Sequence, residues 1–364
     1  MSLLYDEGQL AIAAETRKVL EARVNTKEML ALLEQQGLFH APFWETAKQQ
    51  GWTALALPEA YGGLDLTLVE LGLIALQTGR TLAGAPFLTT SYGAARAVLD
   101  HGSEALKDAW LPRLASGEAI GAIAFAEGQE PVPALPTVTY AHGLLNGIKP
   151  SVSGGSQAHL AIVLASEAGT PVLVAADLTG AERQVFHTFD NSRCTANLVF
   201  QNTSATLLAS GDAALQAALH VLALQSVVTA HEQTGGAEAL IEQARDYANT
   251  RRAFGQPIGA FQSVKHRIAE LYGLVELARA NALQAAASEG QPGFLKVAAA
   301  ARIQATEAYD TAARDCVQVH GGIGVTWEGG LHLHMRRSRT LAVEQGNLLF
   351  WEDVLVDQLT GEMA

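Results

Sequence analysis

Two adjacent arginines stand at a break between two helical patterns, in residues 251–262. Gly255, Pro257 and Gly259 interrupt the helical pattern, because proline lacks an N–H group and glycine adopts turn conformations at little cost. A guanidinium carries a permanent positive charge and a fork of donors that suits phosphate oxygens. The segment therefore predicts a loop that binds a phosphate or pyrophosphate. The alternative is an ordinary helix–helix connection whose arginines cap carbonyl groups.

A second candidate segment, residues 318–328, places three glycines directly after a helical pattern. Glycines allow a backbone to lie close to a ligand, where its N–H groups can donate to phosphate or ribose oxygens. A glycine-rich turn on its own is common in proteins that bind no nucleotide. Gln318 before the glycines and Thr326-Trp327-Glu328 after them make this segment more specific.

The first segment resembles the R-x-x-F-G-x-P-I-x-x-F-Q signature of the acyl-CoA dehydrogenase family. The resemblance implies that Arg251, Phe254 and Gln262 contact an FAD molecule held by a neighbouring subunit. The family usually has a polar residue at the position of Ala253. One hydrogen bond to the flavin is therefore expected to be missing.

The second segment resembles the Q-x-x-G-G-x-G-x-T-x-E signature of the same family. The resemblance implies that Gln318, Gly321 and Gly322 contact the adenosine half of the neighbour's FAD. Two signatures in the family's order and spacing identify the chain as resembling this family over nearly its whole length. The implied cofactor is FAD, and the implied reaction is α,β-dehydrogenation of an acyl-CoA thioester.

The elements around these segments predict a mainly α-helical protein with a central β-domain. Helical patterns extend to about residue 119, and strand patterns follow at residues 121–126, 137–145, 159–165, 171–178 and 195–200. We expect an N-terminal helical domain (1–119), a middle β-barrel-like domain (120–209) and a C-terminal four-helix bundle with the FAD-binding and oligomerisation motifs (210–364). Within the β-domain, Asn146-Gly147 is predicted to form a tight hairpin turn, as in the family's L-N-G-x-K segment.

The middle domain of the family also covers the flavin ring, and this half of the site is reduced here. Residues 125–131 keep Glu127 of a T-E-P-x-x-G-S-D-like loop but lack its Gly-Ser-Asp portion. Residues 151–153 stand where relatives have W-I-T. The resemblance implies that the hydroxyl of Ser153 faces the flavin N5 atom, whereas the indole has been lost.

The family's catalytic base is a glutamate at one of two positions, and both are glutamines in this chain. By resemblance these positions are Gln345, after the glycines, and Gln225, on the helix that leads to Arg251. An amide cannot accept a proton at neutral pH. The nearby carboxylates are Glu232, which shares a helix face with Gln225 but lies about 10 Å along the axis, and Glu344, which points away from its neighbour Gln345. Both remain candidate bases.

This asymmetry predicts a partner subunit of a heterotetrameric α2β2 acyl-CoA dehydrogenase. Such enzymes degrade lipid or steroid side chains, and a homologous subunit would carry the base. Acyl-CoA is the expected substrate and electron-transfer flavoprotein the expected electron acceptor. The alternatives are a self-sufficient homomeric enzyme that uses Glu232 or Glu344, a flavin oxidase or monooxygenase of the same fold, and a scaffold without flavin. The sequence does not indicate which acyl group is bound.

Composition limits the other classes of function. The formal net charge of −13 disfavours nucleic-acid binding. The two cysteines, Cys194 and Cys316, lie far apart and predict neither a disulfide framework nor a metal site, which fits a cytoplasmic protein. Polar residues interrupt the most apolar stretch, so no membrane span is expected.

Overall fold

The computed structural model describes residues 5–83 and 87–361. The helices are Glu7–Arg23 (α1), Thr26–Leu33 (α2), Ala41–Gln49 (α3), Leu68–Thr81 (α4), Phe87–His101 (α5), Glu104–Ala115 (α6), Asp212–Thr250 (α7), Gln262–Ala287 (α8), Phe294–His320 (α9), Leu331–Leu341 (α10) and Leu348–Thr360 (α11). The strands are Gly121–Ala124 (β1), Thr139–Ala141 (β2), Leu144–Val152 (β3), Leu160–Glu167 (β4), Thr170–Asp177 (β5), Glu182–Val185 (β6), Ala196–Ser210 (β7), Arg252–Ala253 (β8) and Gln256–Pro257 (β9). The predicted architecture is confirmed: the protein is mainly α-helical, and a β region lies between two helical parts of the sequence.

The strands between Gly121 and Ser210 close into a barrel-like sheet. The order β1-β4-β2-β3-β7-β5 is completed by a pairing of β5 with β4, while β6 pairs with β7 at the side. Residues 160–165 of β4 are buried on both faces of the sheet. Alternate residues of β4 join the barrel interior (Ala161, Val163) or the layer that also includes α5 and α6 (Leu160, Ile162). A strand covered on both faces reads as a continuous apolar run.

The tight turn in this sheet is not at Asn146-Gly147, and that prediction is wrong. These two residues lie inside β3. The turn between β2 and β3 is instead His142-Gly143, whose φ angles of 51° and 80° are both positive, as a two-residue primed turn requires. Gly147 has a φ of 130°, and a Cβ added there would lie 3.2 Å from Val138. Glycine therefore suits this position.

Contacts group the described residues into two units. One comprises the described parts of Met1–Ala31, Leu68–Ala83 and Ser226–Ala364, and the other those of Leu32–Thr67 and Gly84–Gln225. Helix α7 contributes its first residues to the second unit and the remainder to the first. The predicted domain boundaries near residues 119 and 209 divide the sequence into consecutive segments, whereas each of these units combines separate segments. The boundaries stay predictions.

In the unit that contains both flavin signatures, α4 and α7 pack with almost no space between their backbones. A Cβ added to Gly79 would lie 1.9 Å from the carbonyl oxygen of Glu232, and one added to Gly235 would lie 1.8 Å from that of Leu76. Only glycine permits such an approach. The contact fixes the part of α7 that leads to the arginines.

Helix α7 is also long and apolar enough to cross a membrane by length and composition alone. However, 72% of its most apolar window is buried inside the protein, as in the core helices of water-soluble proteins. This helix is therefore weak evidence for a membrane span. Among residues 5–83 and 87–361, no cluster of three or more His, Cys, Asp or Glu side chains could hold a metal ion.

Candidate flavin-binding site

The loop of residues 251–261, the arginine loop, connects the end of α7 to the start of α8. Its strands β8 and β9 form a miniature hairpin in which Arg252 pairs with Pro257 and Ala253 with Gln256. The two turn residues, Phe254 and Gly255, have φ angles of 52° and 83°. This turn displays the ring of Phe254, which is 96% exposed. A bulky residue in the left-handed region is uncommon and concentrates at functional sites.

The two arginines of this loop have different environments. Arg252 donates a hydrogen bond to the carbonyl oxygen of Gly255 at 3.3 Å, within the hairpin. The guanidinium of Arg251 is exposed and has no hydrogen bond or ion pair with any part of the chain that the structure describes. Arg251 is thus available for an external anion, whereas Arg252 stabilises its own turn.

Gln262 is the first residue of α8 and is exposed. Its amide has no hydrogen-bond partner within residues 5–83 and 87–361. The preceding residue, Phe261, offers no side-chain cap to the helix. Arg251, Phe254 and Gln262, which the sequence predicted as a group, therefore share one exposed loop and the helix start beside it.

The glycine turn, Gly321–Val325, is a short 3₁₀ helix directly after α9. No atom lies within 4 Å of a Cβ added to Gly321 or Gly322, so the space in front of both is open. Gly324 differs, because a Cβ there would lie 2.9 Å from the carbonyl oxygen of Val317. Gln318 is exposed on the last turn of α9. The glycines thus have two functions: access for a ligand and close packing on α9.

The structure joins the arginine loop to the glycine turn through two residues that were not predicted from the sequence. The ring of Tyr247, on the last turn of α7, stacks on His320, the last residue of α9, with centroids 4.3 Å apart and an interplanar angle of 25°. Their positions next to the two signatures were the only signal in the sequence. Nothing in one sequence shows that these two rings meet.

The first base position, Gln225, is buried and occupied by packing. Its Nε2 atom donates to the carbonyl oxygen of Thr89 at 3.1 Å, and the residue is 1% exposed. A Cβ on Gly93 of α5 would lie 2.6 Å from Nε2, so the amide fills the space above this glycine. Gln225 has a structural contact and no proton-accepting group.

The second base position, Gln345, lies in a turn held from several sides. Gln345 has a φ of 53°, and its Oε1 atom accepts a hydrogen bond from the hydroxyl of Thr229 at 3.1 Å. The indole of the buried Trp351 donates to the backbone carbonyl of Gln345 at 3.0 Å. These two hydrogen bonds hold Gln345 in place, but its side chain is an amide and not a carboxylate.

The two carboxylate candidates, Glu232 and Glu344, both lie beside buried arginines, and their catalytic roles stay predictions. Glu232 is 5% exposed and receives a hydrogen bond from Arg337 at 2.7 Å. Glu232 is thus engaged in an ion pair with Arg337, which is 2% exposed. The backbone carbonyl of Glu344 accepts a hydrogen bond at 2.8 Å from the buried Arg302, which also binds the carbonyl of Leu341.

In the β-domain, Ser153 is half-buried at the start of the turn after β3, and its predicted role remains open. The neighbouring loop is fastened by Lys149, a fully buried lysine that donates to Glu127 and, at 2.8 Å, to the carbonyl of Phe125. Burial lowers the pKa of Lys149 to about 8 although Glu127 opposes the shift. For Glu127, burial raises the pKa, but hydrogen bonds from Lys149 and Thr137 outweigh it and lower the pKa overall. The retained glutamate is thus committed to anchoring the loop.

Comparisons with known proteins show the family of the chain. The model of the acyl-CoA dehydrogenase N-terminal domain matches residues 6–118, and that of the C-terminal domain matches residues 215–348. The chain is 32% identical to the acyl-CoA dehydrogenase IpdE2 of Mycobacterium tuberculosis over 292 residues, which cover 80% of this chain and 78% of that protein. The chain therefore belongs to the acyl-CoA dehydrogenase family, whose members are FAD-dependent oxidoreductases.

Solved structures share the fold over its whole length. A chain of the ChsE4-ChsE5 complex from Mycobacterium tuberculosis is 23% identical to this chain, with a TM-score of 0.88. The match covers 100% of this chain and 100% of that one. A glutaryl-CoA dehydrogenase from Mycobacterium smegmatis in complex with FADH2 is 21% identical with a TM-score of 0.89, covering 100% of this chain and 97% of the other. At these identities the likeness concerns the fold.

The residues present fit FAD on two structural grounds. An unpaired, exposed guanidinium at Arg251 suits a pyrophosphate, since it offers positive charge and several donors. The open space at Gly321 and Gly322 lets a ribose or phosphate approach the backbone.

Proposed function

We propose that this chain is the cofactor-contributing subunit of a heteromeric acyl-CoA dehydrogenase. It would hold the dinucleotide of an FAD bound mainly by a homologous partner, and that partner would supply the catalytic base. One observation carries the proposal. Arg251, Gly321 and Gly322 are exposed and open to a ligand, whereas Gln225 and Gln345 are amides fixed by contacts inside this chain.

The proposed division of labour follows from the chemistry of dehydrogenation. A carboxylate must remove the α-proton of the thioester from a desolvated position. When bound, FAD accepts the β-hydrogen as hydride. Arg251 would neutralise pyrophosphate charge, Phe254 would cover an apolar surface of the cofactor, and Gln318 would contact the adenosine. This chain's own residues thus bind and orient.

Several further features belong to the same proposal. The name of the ChsE4-ChsE5 complex describes an assembly of two proteins, of which the matched chain shares this fold, and this supports a heteromeric arrangement here. We propose an α2β2 tetramer in the cytoplasm, an acyl-CoA substrate with a lipid or steroid side chain, and electron-transfer flavoprotein as electron acceptor. The domain boundaries at residues 119 and 209, and a flavin-facing hydroxyl at Ser153, are also part of the proposal.

The test is co-expression with the product of an adjacent coding sequence, followed by measurement of flavin per chain. The contributing role predicts one flavin for every two chains in the complex and little flavin on this chain alone. Equal flavin on every chain, bleached by acyl-CoA in this chain alone, would favour the self-sufficient enzyme.

A matched pair of variants sharpens this test. Replacing Arg251 by alanine in this chain should weaken FAD binding by the complex about 10- to 100-fold, the usual effect of losing a charge-assisted contact. Arg252→Ala should change it little, because Arg252 binds its own hairpin. Equal effects of the two variants, or no effect of either, would contradict the proposal.

A further inference from the structure

The two signatures that contact the dinucleotide belong to the ends of different helices. Arg251 follows the last residue of α7, and Gln318 lies on the last turn of α9. One bound dinucleotide can contact both groups at full strength only if these helix ends keep a compatible separation. A displacement of about 1 Å is enough to weaken a positioned contact. Some feature of this unit must therefore set the distance.

The stack of Tyr247 on His320, hereafter the brace, is placed to set it. The ring centroids are 4.3 Å apart and nearly parallel. Both side chains are half-buried, so the contact lies near the surface. A stacked pair at a surface contributes modestly to folding, but it fixes the relative position of the two elements that carry it.

His320 is held firmly on the α9 side. Its Nδ1 atom lies 2.8 Å from the carbonyl oxygen of Cys316. A carbonyl oxygen only accepts, so Nδ1 donates and the orientation of the imidazole is set. The following turn packs beneath it, since a Cβ added to Gly324 would lie 3.1 Å from the Cβ atom of His320. The imidazole and the glycine turn therefore move together.

Tyr247 is tied in the same way to the arginine loop. Its carbonyl oxygen accepts the backbone N–H of Arg251 at 2.8 Å. The adjacent Ala248 supports the far side of the loop, where a Cβ on Gly259 would lie 3.1 Å from the Ala248 carbonyl oxygen. Both sides of the arginine loop therefore rest on the turn of α7 that carries the tyrosine.

We propose that Tyr247 and His320 are positioning residues that fix the arginine loop relative to the glycine turn. They thereby preorganise Arg251 and Gln318 for contact with the dinucleotide. This inference rests on the proposed function, because it concerns the FAD contacts that the chain contributes. The two rings act through Arg251 and Gln318. Preorganisation increases affinity by removing the cost of ordering the two elements during binding.

The experiment uses the complex of this chain with its partner, stripped of flavin and titrated with FAD by fluorescence. The variants are Tyr247→Ala, His320→Ala, the double variant and Tyr247→Phe. Each single alanine variant should weaken FAD binding about two- to tenfold, the range of an aromatic pair. The double variant should be no weaker than the worse single one, since either change removes the whole brace. Tyr247→Phe keeps the ring and should bind FAD normally.

A second stack in the same unit provides the control. Trp327 and His332 stack with centroids 4.6 Å apart and an interplanar angle of 23°, but they do not join the two helix ends. His332→Ala should leave FAD affinity unchanged, and the melting temperature of the complex should fall by a similarly small amount in all the alanine variants, because each removes one stack near the surface.

The outcomes separate the two proposals. If Arg251→Ala weakens FAD binding while the brace variants do not, the brace has no positioning role and the cofactor-contributing function stands. If Arg251→Ala has no effect, the proposed function itself fails. Additive losses from the two rings, or an equal loss with Tyr247→Phe, would show separate contacts and overturn the brace.

Discussion

The residues that would hold a cofactor and the residues that would perform proton transfer have opposite environments in this chain. Arg251, Phe254 and Gln318 are exposed, and nothing in the described structure engages the Arg251 guanidinium. Gln225 of α7 is buried against α5, and Gln345 accepts a hydrogen bond from Thr229. Exposed polar groups are available for a ligand, whereas fixed ones stabilise their own fold. The difference supports the proposal that this chain contributes cofactor contacts while a partner supplies the base.

The two candidate carboxylates near the base positions both lie beside buried arginines. The Glu232–Arg337 ion pair is almost fully buried, at 6% and 3% side-chain exposure. Arg302 donates to the backbone carbonyl of Glu344. The catalytic roles of both carboxylates stay predictions.

The largest effect is expected from Glu232→Gln. The variant removes the carboxylate from a buried ion pair with Arg337, which should lower the free energy of unfolding by about 3–5 kcal/mol. The measurement is the denaturation midpoint of the purified complex. Adding Arg337→Met removes the second charge of the pair and should restore most of the loss.

The double variant also distinguishes the two hypotheses for catalysis. The contributing role predicts that the complex keeps its dehydrogenase turnover with both substitutions. Abolished turnover in a stable, flavin-loaded double variant would identify Glu232 as the base and break the comparison.

A smaller effect is expected when a carboxylate is restored at the buried amide position. In Gln225→Glu, an ionised carboxylate would face the carbonyl oxygen of Thr89, which can accept a hydrogen bond but not donate one. The folded state should therefore bind a proton more tightly than the unfolded state. Stability should fall by about 1–3 kcal/mol as the pH rises from 5 to 8.

Gln345→Glu is the matched control. A carboxylate at this position still accepts the hydroxyl hydrogen bond of Thr229, so little change in stability is expected. Thermal melts at the two pH values measure both variants. Equal behaviour of the two glutamates would remove the contrast between position 225, which is buried against α5, and position 345, which is hydrogen-bonded to Thr229.

A further pH-dependent effect concerns the interior histidines of the unit that carries the site. Burial lowers the pKa of His231 to about 4 and that of His334 to about 3, from an ordinary value of 6.5. The unfolded chain binds protons in this range that the folded chain excludes, so stability is present above pH 6.5 and is lost as the pH falls. The expected slope is at most about 1.4 kcal/mol per pH unit for each histidine.

The variant His334→Gln should reduce this slope, because glutamine does not titrate and can still bond to the hydroxyl of Tyr309, the present partner of His334. His266, an exposed residue of α8, gives the control variant His266→Gln, which tests whether the effect is specific to the interior position. Urea midpoints between pH 4.5 and 7 provide the measurement. An unaltered slope in His334→Gln would mean that the interior imidazole is not excluded from protonation.

The sequence predicted the fold class and the FAD family because those signals are local. A contiguous signature such as residues 251–262 contains its own loop chemistry, and strand or helix periodicity is visible in short windows. The turn at Asn146-Gly147 was wrong although the dipeptide favours turns. Pairing of β3 along β7 on one side, with the His142-Gly143 turn before it, overrides that local preference.

The amino-acid sequence by itself determined which groups this protein can offer: an arginine and glycines that suit a dinucleotide, and amides at both base positions. Tertiary structure alone decided which of these groups are available, because burial and partners depend on residues far apart in the chain. Glu232 meets Arg337 across 105 positions, and Tyr247 meets His320 at the ends of two helices. The free energy of such contacts comes from desolvation and geometry, and neither is visible in residue type or spacing.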